Sequence, residues 1–296
     1  MAKVRKAVFP VAGMGTRFLP ATKAMAKEML TIVDKPLIQY VVEEAAASGI
    51  EEFILVTARH KGEIEDHFDR SVELEGALED GRKRRERKAV EEMVLQPGQI
   101  AYIRQQEPLG LGHAVWCARY AVGDEPFAVL LPDEIMLADE PVLAQLLSAH
   151  AEVGGNVVAV MDVPRDRTAR YGILDVAEDD GRLVRVKGLV EKPEPDAAPS
   201  TLSLAGRYVL DPQVMEALGR QEAGRGGEIQ LTDAIAATIG TIPLHGVRFE
   251  GHRFDCGSPL GFLEANLAYA LGRADIAEDV QDMLRRYAGV AAPKGG

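Results

Sequence analysis

Residues 6–20, KAVFPVAGMGTRFLP, decide how this chain folds. The run 6–11 reads as a buried strand, and it leads straight into Val11-Ala-Gly-Met-Gly15. Glycines in such a turn let backbone N–H groups approach and converge on an oxyanion, which side chains would block. The turn is not the dinucleotide pattern G-x-G-x-x-G, because Phe18 occupies the third glycine position. It is not a Walker loop either, because no Gly-Lys-Ser/Thr follows. Its charges set it apart: Arg17 lies two residues past Gly15, and Lys23 and Lys27 follow at a four-residue spacing, with Glu28 next to Lys27. Cations around a glycine turn at the C-terminal end of a strand point to a polyphosphate site, since ligands of open α/β sheets bind at those ends.

Outward from this turn, short apolar runs alternate with helical patterns. Residues 36–48 read as a helix, with Asp34 near its start and Gly49 as its stop. Residues 52–57 (EFILVT) read as a second strand, and further strands are expected over 100–104, 127–131, 157–163 and 208–210. This rhythm predicts an α/β protein with a doubly wound, mainly parallel sheet and helices on both faces. The run FAVLL at 127–131 is almost wholly apolar, as a central strand covered on both sides requires. Residues 71–95 break the rhythm: acids flank the basic run 82–88, which reads as a solvated helical arm with self-compensating charge. The tail after Tyr287 reads as frayed.

Composition bounds the function. Of 296 residues, 47% are hydrophobic, enough to bury a sizeable core. Bases number 34 and acids 46, a net charge of −12, which argues against a general nucleic-acid or anionic-membrane binder. No apolar run reaches about 18 residues, the length of a spanning helix. No secretory signal is evident, and Cys117 and Cys256 make neither a disulfide framework nor a zinc site. His60 and His67 could share a helix face, but a third metal ligand is lacking, and His113 reads as bracing its turn. The expectation is a cytoplasmic enzyme of small anionic molecules.

The stretch GMGTRFLPATKAMAKEML (13–30) resembles the signature of sugar-1-phosphate nucleotidylyltransferases. Extended through Val33-Asp-Lys-Pro-Leu-Ile-Gln-Tyr40, it resembles the members of that superfamily that transfer a uridylyl group. The resemblance runs over residues 4–287 and includes Gly110-Leu-Gly-His-Ala-Val115, Leu131-Pro-Asp133, Tyr171-Gly172, Val190-Glu-Lys-Pro193, Gly227-Glu-Ile-Gln-Leu-Thr-Asp-Ala234 and Phe254-Asp-Cys-Gly257. There are departures. Ala26 and Thr31 stand where proline is usual, which should loosen the loop, and Leu109 stands where lysine is common. The resemblance implies the Rossmann-like nucleotide-diphospho-sugar transferase fold. It places a nucleotide-binding half at 1–150, a sugar-phosphate half at 151–257 and C-terminal helices at 258–296 that contact another copy in a homo-oligomer.

The implied reaction is UTP plus glucose 1-phosphate giving UDP-glucose and pyrophosphate. A sugar phosphate has a second pKa of about 6, so at neutral pH it is already a nucleophile and needs no general base. Positioning and charge neutralisation are what remain. The resemblance implies that Arg17 and Lys27 act on the triphosphate, and that Mg2+ is bound by Asp133 and Asp255. On residues alone, Asp255 reads equally well as a turn or capping aspartate; Glu134 is a spare carboxylate. Ala12, Gly13, Gly15 and Thr16 would cradle the nucleotide. Gln105 could read uracil through its amide, with Gly110 and Gly112 exposing backbone to the base edge and Glu28 as an acceptor for N3–H or a ribose hydroxyl. Glu191, Lys192 and Gly172 would hold the sugar phosphate. Two rivals stand beside this reading: a thymidylyltransferase acting on the same sugar phosphate, and a non-catalytic paralogue that binds sugar nucleotides.

Overall fold

A computed structural model describes residues 2–289. In chain order, β1 (Lys6–Pro10) leads into the glycine loop, a small hairpin of β2 (Thr31–Ile32) and β3 (Lys35–Pro36), and α1 (Leu37–Ala47). There follow β4 (Glu52–Thr57), α2 (Gly62–Phe68), α3 (Val72–Asp80), α4 (Arg84–Glu91), β5 (Ile100–Arg104), α5 (Leu111–Cys117), α6 (Arg119–Val122), β6 (Phe127–Leu130), β7 (Glu134–Leu137) and α7 (Val142–Val153). The second half holds β8 (Asn156–Asp162), β9 (Gly172–Asp179), β10 (Leu183–Glu191), β11 (Leu202–Leu210), α8 (Gln213–Gly219), α9 (Leu231–Thr238), β12 (Leu244–Arg248) and β13 (His252–Asp255). α10 (Pro259–Leu271) and α11 (Ala277–Tyr287) come last.

The main sheet has nine strands in the order β5-β4-β1-β6-β11-β8-β12-β10-β9. β5, β4, β1 and β6 are parallel neighbours, so their C-terminal ends share one edge. The expected parallel pairing holds in this first half. Beyond β6 it is corrected to a mixed arrangement: β11 runs antiparallel to both β6 and β8, β10 antiparallel to β12 and β9, and only β8–β12 is parallel. The expected strand at 208–210 is the last part of β11, whose apolar pattern is interrupted by Ser203, Gly206 and Arg207 although every residue in it is buried. β9 and β10 escape sequence reading because β9 is buried only over its first three residues and ends in exposed acids, while in β10 exposed residues alternate with buried ones, so neither forms a long apolar run.

Period-two alternation gives the sheet two dry faces. Ala7 and Phe9 of β1 face α1, α7 and α10, while Val8 faces α5, α8 and α9. In α1 the buried residues Leu37, Ile38, Val41, Val42 and Ala45 form one stripe, and Gly49 ends the turn at φ 88°. Each of the leucine, isoleucine and valine side chains, fully buried, contributes roughly 1.5–3 kcal/mol. Residues 71–95 form the paired helices α3 and α4, where Arg87 bridges Glu79 and Glu91, and Lys88 bridges Glu92. Of the tail expected to fray, residues 290–296 lie outside the described residues. Among the described residues, no helix is long and apolar enough to cross a membrane.

Candidate active site

The shared edge of β1, β4, β5 and β6 presents Ala12–Gly13, the 58–61 loop, Gln105 and Asp133 side by side. The glycine loop folds back over this edge. Gly15 adopts φ 66°, a left-handed conformation that favours glycine, and a Cβ there would meet Lys27 Cβ at 3.0 Å. Thr22 Oγ1 donates to Gly15 O at 2.7 Å, and Phe18 sets its edge on Phe262 of α10. The fold-back brings Lys27 Nζ to 2.6 Å from Asp133 Oδ2. Burial works against the Lys27 ammonium, but Asp133 and Glu28 outweigh it and hold its pKa above the ordinary lysine value. Burial likewise opposes the Asp133 carboxylate, and Lys27 overrides it, so Asp133 lies below the usual range.

Asp133 and Asp255 arrive from distant parts of the chain. They meet through the two-stranded ribbon of β7 and β13, in which Asp255 pairs with Glu134. A Cβ on Gly257 would lie 3.1 Å from both Asp133 Oδ2 and Asp255 Oδ1, so the two carboxylates face one small space. Arg17 Nη1 points to the same place, 3.4 Å from Gly257 O. Arg170 Nη2 bonds Asp255 Oδ2 at 3.0 Å. Glu134 is committed elsewhere, to Arg253, and it covers Gly206, where any Cβ would collide with it. The turn that carries Asp133 is clamped from below by the fully buried Arg207, which donates to Leu131 O at 3.1 Å, to Glu134 O at 2.8 Å and to the Glu44 carboxylate.

A cleft of 330 Å³ lies beside this pair, lined by Ala12, Gly13, Lys27, Gln105, Gly110 and Asp133 among others. Gln105 Nε2 donates to Gly110 O at 3.1 Å and meets His113 Nδ1 at 3.0 Å, which leaves Oε1 as the group free to accept. His113 braces the turn as expected of it. Gly110 and Gly112 do more for packing than for exposing backbone. Added Cβ atoms at either would come 2.8 Å from Ile229 O, and Gly112 N–H already donates to that oxygen.

Glu28 departs from its expected place. It is fully buried, lines neither neighbouring cavity, and receives Lys61 Nζ at 2.7 Å. Burial pushes its pKa up and that of Lys61 down. In this structure its Oε2 holds Lys61. Gly15 and Thr16 also line neither cavity; they shape the loop. The loosening expected at Ala26 is countered, because its N–H donates to Glu63 Oε1 at 2.6 Å, a bond proline could not make.

The residues expected on the sugar side form a second cluster. Glu191 on β10 pairs in register with Gly172 on β9. Glu191 bonds Lys192 Nζ at 2.7 Å and accepts from Thr232 Oγ1 at 2.7 Å. Gly172 is buried, and a Cβ there would lie 2.7 Å from Leu204 Cδ1, so its glycine serves strand packing. Lys192 sits at φ 48° with its N–H on Tyr171 O. Arg253, which holds Glu134, lies over the Tyr171 ring at 5.3 Å and so joins this cluster to the carboxylate pair.

Residues 6–271 match the family model described as nucleotidyl transferase. The chain is 54% identical over 257 residues to a UTP–glucose-1-phosphate uridylyltransferase of Komagataeibacter xylinus, covering 87% of this chain and 90% of that one. It is 50% identical to the Bacillus subtilis protein of the same name, covering 95% and 96%. The chain belongs to the nucleotidyl transferase family, in its UTP–glucose-1-phosphate uridylyltransferase branch. A solved UTP-bound uridylyltransferase from Acinetobacter baumannii superposes with a TM-score of 0.88 at 42% identity, over 95% of this chain and 99% of that one.

Within this uridylyltransferase fold, sequence reasoning passed over several residues at the site. Arg170 had a signal, since it directly precedes Tyr171-Gly172. Glu228 also lines the cleft, and its only signal in the sequence is its place in the Gly227–Ala234 motif. Lys61 and Arg207 left no local signature, because a lone basic residue gains meaning only from the carboxylate it meets. Among the described residues no group of three or more His, Cys, Asp or Glu side chains could hold a metal ion.

Proposed function

We propose that the chain joins UTP and glucose 1-phosphate to give UDP-glucose and pyrophosphate, by in-line attack of the sugar phosphate on the UTP α-phosphate. The observation that carries this reading is the Lys27–Asp133 pair facing Asp255 beside a cleft bearing Gln105. The sugar phosphate needs no base, so the chain's work is to place and neutralise two polyanions. Gln105 Oε1, kept free by the bonds of its amide nitrogen, would accept uracil N3–H, with Ala12, Gly13 and Gly110 around the base. Arg17 would lie along the outer phosphates and stabilise departing pyrophosphate. Lys27, charged and partly buried, would meet the α-phosphate or the leaving group. Lys192 would hold the sugar phosphate, with Glu191 accepting from sugar hydroxyls and Gly172 keeping the strand close.

Asp133 and Asp255 fit Mg2+: two hard carboxylate oxygens converge on one point, leaving phosphate oxygens and water to complete the shell. When bound there, Mg2+ would polarise phosphoryl oxygens and offset their charge. We assign 1–150 to the nucleotide, 151–257 to the sugar phosphate, and 258–296 to subunit contact in a homo-oligomer of a cytoplasmic enzyme. Leu260 and Leu263 on α10, and Met283 and Tyr287 on α11, stand exposed in support of that contact.

The test is pyrophosphate release with Mg2+ and glucose 1-phosphate, comparing UTP with dTTP, ATP, CTP and GTP. Release fast only with UTP supports the reading. Preference for dTTP would keep the mechanism and change the base. Folded protein that binds UDP-glucose yet releases nothing would be a regulatory binder.

A further inference from the structure

Gln105 is buried, and two contacts settle which end of its amide meets the protein. Gly110 O lies 3.1 Å from Nε2. A carbonyl has no proton to give, so the amide atom set against it must be the nitrogen. That nitrogen turns its other N–H to His113 Nδ1 at 3.0 Å, so Nδ1 must accept. The imidazole then carries its proton on Nε2, which lies 4.0 Å from Cys117 Sγ, one turn further along α5. Burial holds the Cys117 thiol above its ordinary pKa, so it stays protonated and leaves its sulfur as a weak acceptor. The ring plane is held as well: Trp116 stacks on His113 at 5.9 Å, and the Arg119 guanidinium covers Trp116 at 3.6 Å. Among the described residues Oε1 of Gln105 receives no hydrogen bond and is not sealed in, so it stays open to the cleft.

The two ends of a glutamine amide have nearly the same shape, so packing alone does not choose between them. Their chemistry is opposite. Uracil presents a donor at N3, whereas cytosine presents an acceptor at the same ring position. An oxygen facing the cleft attracts the first and repels the second; a turned amide would reverse that preference. Turning it would also set Oε1 against the lone pairs of both Gly110 O and His113 Nδ1. We propose that His113 is a specificity-setting positioning residue, whose unprotonated Nδ1 locks the Gln105 amide with its oxygen toward the cleft, so that uracil is taken and cytosine refused. Without His113, Gly110 O alone would oppose the turn. The device does not separate uracil from thymine, which share the N3 donor. The inference rests on Gln105 as the reader of the base in uridylyl transfer.

The experiment measures kcat/KM for UTP, CTP and dTTP on the full chain, with calorimetric Kd values for the same nucleotides as a readout that needs no turnover. The proteins are the wild type, His113→Leu, His113→Asn and Gln105→Leu. His113→Leu should lower the UTP-to-CTP ratio about tenfold, the scale of one hydrogen bond, through KM rather than kcat. The UTP-to-dTTP ratio should hold. His113→Asn offers Oδ1 as an acceptor in place of Nδ1 and should restore most of the discrimination. A merely structural role would weaken all three nucleotides alike and leave both ratios unmoved in His113→Leu, which overturns the proposal. So does a loss in His113→Asn as large as in His113→Leu. If Gln105→Leu collapses the UTP-to-CTP ratio while His113→Leu leaves it intact, His113 alone is dismissed and Gln105 remains the reader. If neither variant moves the ratio, Gln105 does not read the base, and that reading falls together with this one.

Discussion

The charged pairs at the site differ between the two halves of the chain: Lys61–Glu28 and Lys27–Asp133, within residues 1–150, are more enclosed than Lys192–Glu191 and Arg170–Asp255. The Lys61 and Glu28 side chains are 8% and 1% exposed, and those of Lys27 and Asp133 are 21% and 25% exposed. In contrast, Lys192 is 41% exposed against Glu191, and Arg170 is 51% exposed against Asp255. Enclosed charges interact through a low dielectric and cannot be replaced by water, while open ones are screened. The half proposed to take the triphosphate is therefore prearranged electrostatically, while the half proposed to take the sugar phosphate carries cations open to solvent screening.

This contrast can be broken most sharply at Glu28. Glu28→Gln leaves Lys61 buried without a counter-charge and should cost about 3 kcal/mol of unfolding free energy. Chemical denaturation would measure it, and Glu28→Gln/Lys61→Met should recover most of the loss; equal stability of wild type and Glu28→Gln would remove the enclosed pair from the account. Asp133→Asn should cut turnover about 10²–10³-fold, the scale of one lost preorganised contact. Wild-type turnover in that variant at matched Mg2+ would refute the metal role.

On the open side, Lys192→Ala should raise the KM for glucose 1-phosphate by about tenfold, the scale of one charged hydrogen bond. The KM for UTP should move less, and an equal rise in both would place Lys192 elsewhere. The smallest effect belongs to His150, at the seam between the halves, whose ring nitrogen meets Gly155 O at 3.0 Å. Burial holds its pKa below the ordinary histidine value. A depressed histidine means that the unfolded chain takes up the proton first. Its contribution to stability is thus present above about pH 6.5 and is lost as pH falls through the folded pKa. Unfolding measured from pH 7 to 5 should show this slope, and His150→Gln should flatten it.

How far the sequence could be read follows the same division. In the first half β1, β4 and β6 are apolar runs, the glycine loop, Gln105 and Asp133 follow strand ends, and Lys27 belongs to the cations after that loop, so their places could be read locally, whereas the roles of Gln105 and Asp133 came from the resemblance. In the sugar half β9 and β10 are half-exposed and carry charges, so their strands went unread, and Glu191, Lys192 and Gly172 came from resemblance. In both halves the structure shows partners that the sequence did not: Gly172 faces Leu204, and Glu28 faces Lys61.

The sequence by itself determined the parallel half-sheet, the glycine loop at its edge and the gathering of cations upon that loop. These depend on periodicity and on neighbours a few residues away. Only the tertiary structure decided that Asp255 stands beside Asp133, that Arg207 clamps the turn carrying Asp133, and that Lys23, Arg59 and Lys61 share an acid-free cavity. Those facts arise from strand pairing and loop folding over long separations, and a charge acquires its chemistry from whichever partner that folding brings within reach.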